Sequence, residues 1–220
     1  MKLNLIDVSY FGYPNSDFMY EGDVKDNQPH GKGILKGFKD TLSFDGFFEN
    51  GKPISGKLKE SNGDIYEGKF TSYTTEDGAF VDGGGKIFSK EGDVYTGGWY
   101  DGEKNGFGTM EYANGSKFEG TWLDDSPDEG EMIFPDGEKY KGSFHQGTNV
   151  FDYGELIYLD GYRFVGSFEF IDEQNSPGVY YECEGQIYYA NGNFQEGKIK
   201  LVIENKVNFD KLMWPIPMGY

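Results

Sequence analysis

Residues 92–122 read GDVYTGGWYDGEKNGFGTMEYANGSKFEGTW and spell one phrase twice, Tyr95-x-Gly97-x-Trp99 and then Phe118-x-Gly120-x-Trp122. Strand side chains alternate between faces, so the two rings and the glycine of each phrase share one side. Gly108, Met110 and Tyr112 share a side in the segment between them, while Thr96, Gly98, Thr109 and Glu111 point the other way. A glycine flanked by two large rings leaves bare backbone over which a ring from a neighbouring strand or repeat can lie flat.

Outward from this stretch, the opening ring of the phrase recurs at Tyr20, Phe44, Tyr66, Tyr95, Phe118, Tyr140 and Phe164. The spacings are 24, 22, 29, 23, 22 and 24, one period with a single insertion near 71–83. An eighth, decayed copy keeps Asn191-Gly192 and Gly197 but carries Gln195 where the ring belongs. Between the copies runs a second phrase, Gly-x-aliphatic-x-aromatic, as in Gly130-Glu-Met132-Ile-Phe134 and Gly154-Glu-Leu156-Ile-Tyr158. Asn-Gly and Asp-Gly turn signals separate the two phrases, so each unit reads as a hairpin of two short strands of about five residues. A lone hairpin is marginal in water, and such units hold together through their neighbours. Composition agrees: 17 Tyr, 19 Phe and 3 Trp stand beside 34 Gly and only three alanines, Ala79, Ala113 and Ala190. Residues that favour strands and turns dominate, and the expected class is all-β.

The phrase Tyr-x-Gly-x-Trp, a charged glycine-containing turn, then Gly-x-Gly-x-aliphatic-x-aromatic resembles the MORN (membrane occupation and recognition nexus) repeat. The likeness runs over about residues 18–200, although the paired Gly-x-Gly is complete only at Gly31/Gly33, Gly83/Gly85 and Gly106/Gly108, with Asp128 and Asp152 in later copies. The resemblance implies an elongated, single-layer antiparallel meander of about seven to eight hairpin repeats. It also implies a scaffold or adaptor that binds proteins and in some cases self-associates. The expected organisation is an N-terminal cap over 1–17, the array over 18–203 with insertions near 71–83 and 169–182, and a C-terminal cap or docking tail over 204–220.

Charge narrows the partners. Twenty basic residues against 38 acidic ones give a net −18, and only Arg163 among the basic residues is an arginine. Such a field repels phosphate backbones and anionic headgroups, so direct nucleic-acid binding and membrane association are not expected, and protein partners with a basic surface are. The lone Cys183 excludes an internal disulfide, and MKLNLIDVSY lacks the unbroken apolar run of a secretion signal. A cytoplasmic location is the expectation.

Catalytic and metal constellations do not assemble from this inventory. His30 and His145 read as solvated turn residues, and one cysteine with two distant histidines makes no transition-metal set. DDSPDEGEMIFP, residues 124–135, starts with EF-hand-like spacing but has Glu129 where the loop glycine belongs and Pro135 where the bidentate glutamate belongs. VDGGGK, residues 81–86, lacks the Lys-Ser/Thr ending of a phosphate cradle. No cofactor, metal or enzymatic activity is expected.

The function expected is therefore a non-enzymatic scaffold mediating protein–protein interaction. Candidate contacts are Tyr95, Trp99, Trp122, Tyr140 and Phe144, which are also repeat-core positions. An acidic partner-facing turn is formed by Asp124, Asp125, Asp128 and Glu129, and a docking tail by Met213, Trp214, Ile216 and Met218. Two other readings stay open: an acidic inhibitor or decoy of the antitoxin, immunity or anti-defence type that occupies a partner's basic surface, and a cell-wall glycan-binding repeat protein.

Overall fold

The computed structural model describes residues 2–4, 18–37, 42–75, 78–171 and 179–203. Among them are sixteen strands and no helix. The chain divides into two compact units, 1–106 and 107–220. The first holds β1 (Lys2–Asn4), β2 (Phe18–Lys25), β3 (Gln28–Gly37), β4 (Leu42–Glu49), β5 (Lys52–Glu60), β6 (Ile65–Thr75), β7 (Gly78–Phe88) and β8 (Val94–Tyr100). The second holds β10 (Lys117–Leu123), β11 (Ser126–Ile133), β12 (Lys139–Phe144), β13 (Phe151–Ile157), β14 (Arg163–Ile171), β15 (Val179–Tyr188) and β16 (Phe194–Ile203). β9 (Glu103–Glu111) spans the boundary. Within each unit every strand pairs antiparallel with its neighbours in the chain, which is the meander that the repeat calls for.

β1 pairs with β2 through Lys2↔Glu21. Residues 5–17 and the tail 204–220, with Met213, Trp214, Ile216 and Met218, lie outside the described residues. The insertion near 71–83 lengthens one hairpin: β6 and β7 run to eleven residues each and pair as far as Thr75↔Gly78. The one near 169–182 adds Glu169↔Glu182 and Ile171↔Tyr180 between β14 and β15. Most strands outrun the quoted phrases because flanking polar residues continue the ladder, with every second side chain in solvent.

Two turn types recur among the described residues. Asp26-Asn27, Asn50-Gly51, Asp101-Gly102 and Asp124-Asp125 have positive φ at both positions, the two-residue geometry whose twist matches that of the strands. The signals Asn62-Gly63, Asn114-Gly115, Asp136-Gly137, Asp160-Gly161 and Asn191-Gly192 form the other type. At Tyr112–Ser116 the Gly115 N–H donates to the Tyr112 carbonyl and the Tyr112 N–H donates to the Ser116 carbonyl, both at 2.9 Å. The Ser116 N–H donates to Asn114 Oδ1 at 2.8 Å, while Gly115 takes a φ of 90° that a side chain would resist. The same side-chain cap recurs at Asn62, Asp136, Asp160 and Asn191, which explains why the signal is Asn or Asp followed by Gly.

The core is a layer of rings over a row of glycines. Register places Gly22, Gly33, Gly46, Gly56, Gly68, Gly85 and Gly97 side by side across the first unit. In the second unit Gly120, Gly130, Gly142, Gly154, Gly166, Gly185 and Gly197 do the same. The covering ring comes from the same strand, two residues earlier, as well as reaching its neighbour: Phe118 lies over both Gly120 and Gly130, and Tyr140 over Gly142 and Gly154. The ring expected from a neighbouring strand is thus present at Gly130 and Gly154, and the same ring also covers the glycine two residues on in its own strand, since same-face positions two residues apart are close enough for one ring to bridge. Glycine is needed for a second reason, because backbones at the row approach so closely that a Cβ would strike the facing Cα and carbonyl.

At Phe44, Tyr95, Phe118, Tyr140 and Phe164 the opening ring meets the closing ring of its own phrase edge to face, as Phe118 meets Trp122 at 5.3 Å and Tyr140 meets Phe144 at 5.4 Å. It also meets the closing ring of the next phrase, as Phe118 meets Phe144 at 5.3 Å and Tyr140 meets Phe168 at 5.4 Å. Edge-to-face pairs add about 0.5–1.5 kcal/mol beyond burial, so this zigzag is the nearest-neighbour coupling that the repeat needs. Tyrosine at the opening position hides its hydroxyl by donating to the carbonyl three residues on: Tyr20 to Asp23, Tyr95 to Gly98 and Tyr140 to Ser143.

A third inner position, opposite the closing ring, is filled by Pro53 beneath Phe48 and by Pro127 beneath Trp122. Beneath Phe144 it is Phe151, which stacks on Tyr140 at 4.0 Å and on Tyr181 at 5.5 Å. Beside them Cys183 is 1% exposed, and burial pushes its thiol up to about 12. Burial also raises the Tyr140 and Tyr181 hydroxyls well above the ordinary tyrosine range. These raised values help the fold only while the groups are neutral: their contribution is complete below about pH 9 and is lost as pH climbs through the folded values. Alkylation of native Cys183 at pH 8 should therefore run about a thousandfold slower than that of an unfolded control, a three-unit difference in thiolate supply. Comparable rates in the two states, followed by mass spectrometry, would contradict this burial.

Candidate interaction surface

With its rings committed to the inner face, the sheet presents a different chemistry outward. Register in the second unit sorts the outward side chains into three rows that cross the strands. Lys117, Ile133, Lys139, Ile157, Arg163, Tyr188 and Phe194 form one. Glu119, Glu131, Lys141, Glu155, Val165, Gln186 and Glu196 form the next. Thr121, Glu129, Ser143, Tyr153, Ser167, Glu184 and Lys198 form the third, with Ser143 held opposite Tyr153 by hydroxyl hydrogen bonds to its carbonyl and from its N–H.

Ion pairs lace the first two rows: Lys117 to Glu119 at 3.1 Å, Lys139 to Glu131 at 3.0 Å and Arg163 to Glu155 at 2.6 Å. The Arg163 guanidinium also lies 4.1 Å from the centre of the Tyr188 ring. Lys198 meets Glu184 at 3.0 Å in the third row. Exposed pairs of this kind contribute about 0–1 kcal/mol and exchange readily with a partner's charges. These pairs leave Glu129 without a cationic partner among the described residues.

A groove of about 450 Å³ lies over Gly120 and Gly130 and reaches all three rows, lined by Phe107, Thr121, Glu129, Ile133 and Lys141. Phe107 is 65% exposed and Tyr153 is 58% exposed, large rings that take no place in the inner layer.

The candidate contacts Tyr95, Trp99, Trp122, Tyr140 and Phe144 all sit in the inner layer, none more than 5% exposed. Asp124 and Asp125 form the exposed tip of the β10–β11 hairpin. Asp128 accepts a hydrogen bond from the Thr121 hydroxyl at 3.1 Å, and exposed Glu129 faces the groove. The turns carry much of the acid. Near one of them, burial and then the neighbouring Asp64 raise the Glu60 carboxyl above the ordinary range. Repeat reading missed Phe107 and Tyr153 because it ranks rings by their fit to the phrase. A signal exists nonetheless: each directly precedes the glycine of the second phrase, in FGTM and YGEL, as Glu129 does in EGEM.

Inner ring layer, glycine row and patterned outer rows together define a tandem β-hairpin repeat protein with an exposed, charge-patterned outer face. Two stretches of the array, residues 20–39 and 95–117, match the family model of the MORN repeat. Repeats of this family are protein- and membrane-interaction modules. Among curated relatives, alsin of Homo sapiens is 28% identical over 159 residues, covering 59% of this chain and 10% of alsin. Alsin of Mus musculus matches with the same identity and coverage. The chain thus spans about a tenth of the length of these relatives. Among solved structures, the TCP10 domain of Danio rerio CPAP aligns with a TM-score of 0.39 at 11% identity, over 91% of this chain and 94% of that one.

Proposed function

We propose that this chain is a non-enzymatic scaffold that holds protein partners with basic surfaces against its outer face and acidic turns. The observation that carries the reading is the division of its rings. Inner rings are consumed by packing, whereas Phe107 and Tyr153 stand exposed beside Glu129 on a face whose ion pairs are weak enough to be exchanged. Exposed aromatic anchors set among polar neighbours are the usual carriers of binding energy, and a net −18 steers basic partners. A cytoplasmic setting belongs to the same proposal and is supported by the lone, buried thiol.

Lysine labelling tests it. Partners captured by the full chain should protect Lys117, Lys139 and Lys141, and raising salt from about 0.1 to 1 M, which shortens screening from about 10 to 3 Å, should abolish the protection. Partners that leave those lysines fully reactive, or that hold them equally at both salts, would refute this use of the face.

A further inference from the structure

Phe107, Glu129 and Tyr153 occupy one repeat position in three successive repeats, the residue before the glycine of the second phrase. Each lies two strands from the next, on β9, β11 and β13. Strands are about 4.8 Å apart, so this ring–carboxylate–ring series has a step of about 9.6 Å. Between its members stand the short side chains of Thr121 and Ser143, whose hydroxyls donate to Asp128 at 3.1 Å and Asp152 at 3.2 Å; Thr121 lies in the groove that Phe107 and Glu129 also line.

An occupant that meets all three must repeat at the same step. A polyproline II segment advances about 9.3 Å for every three residues and presents residues i, i+3 and i+6 on one side. An α-helix returns to one side after seven residues, about 10.5 Å, and drifts from the series by about 2 Å over two steps. A strand covers about 10 Å in three residues but turns alternate side chains away. Chemistry selects the residues: flat apolar rings take proline, and an exposed carboxylate without an ion-pair partner takes a cation.

We infer that the outer face of the second unit binds a partner's polyproline II segment of the form Pro-x-x-(Arg/Lys)-x-x-Pro, with the prolines on Phe107 and Tyr153 and the cation on Glu129. This inference rests on the scaffold reading and narrows its partner to one conformation and one spacing.

The test is calorimetric titration of the full chain with the peptide PPPRPPP, flanked by blocked ends, and with AAARAAA as a control of equal charge. Saturable binding of the first is expected, weaker by about tenfold for Phe107→Ala and for Tyr153→Ala. Glu129→Lys should abolish it, and the peptide PPPEPPP should bind that variant instead. All three positions are exposed, and unchanged melting temperatures will confirm that the variants fold. Absence of saturable binding of PPPRPPP, equal affinity for AAARAAA, or indifference to the two ring truncations would each overturn the inference. Equal affinity for the two peptides, with Lys117, Lys139 and Lys141 protected, would leave the broader scaffold reading standing.

Discussion

Gly120→Ala is expected to lower the stability of the second unit by about 3 kcal/mol, the upper end of the usual range for overpacking. The added Cβ would overlap the Glu129 carbonyl oxygen and lie 2.6 Å from the Gly130 Cα and 2.7 Å from Phe118 Cζ. Two of these three obstacles are backbone, so no rotamer change relieves them. Gly197→Ala is the matched control. Gly197 closes the same row opposite Gly185, yet a Cβ there meets neither facing backbone nor a ring within 4 Å, and its repeat has Gln195 at the ring position. That variant should be neutral or slightly stabilising, within about 0.5 kcal/mol, since alanine loses less freedom than glycine on folding. Urea unfolding of both proteins decides the matter. Equal stabilities would mean that the row is not held at close contact and that its glycines answer only to turn and strand preferences.

Phe151→Ala should cost about 3–5 kcal/mol, the range for truncating a buried phenylalanine. Its ring is 1% exposed and lies parallel to both Tyr140 and Tyr181, with Phe144 and Phe168 at its edges. No other side chain can slide into that slot, because each surrounding ring is already fixed in the zigzag. Tyr153→Ala, two residues along and on the opposite face, should change stability by less than about 0.5 kcal/mol, as exposed substitutions do. Thermal melts of the pair would separate the two faces. If the two variants lost stability equally, the assignment of inner and outer layers in this strand would fall.

These two expectations show where sequence reading stops. The phrase at 95–99 and its copies disclosed the hairpin period, the shared face of rings and glycine, and the Asn-Gly and Asp-Gly turns. All of these follow from local chemistry repeated in register. Phe151 carried no such mark. It replaces a proline seen at Pro53 and Pro127, and that equivalence emerges only when the position is found beneath a closing ring in each hairpin. Tyr95, Trp99, Trp122, Tyr140 and Phe144 were candidates for recognition because they are large and periodic, but periodicity is the mark of packing here, and each is buried.

The sequence by itself determined an all-β repeat protein, the order of its hairpins and the faces to which its residues belong, because alternation and turn geometry act over only a few neighbours. Tertiary structure alone decided which rings are spent and which remain exposed. Register between successive strands, carried along the meander, aligns the glycines into a row, and the rings close over that row from one side only. What stays outside, Phe107, Glu129 and Tyr153 at one repeat step, is set by that closure rather than by any single phrase.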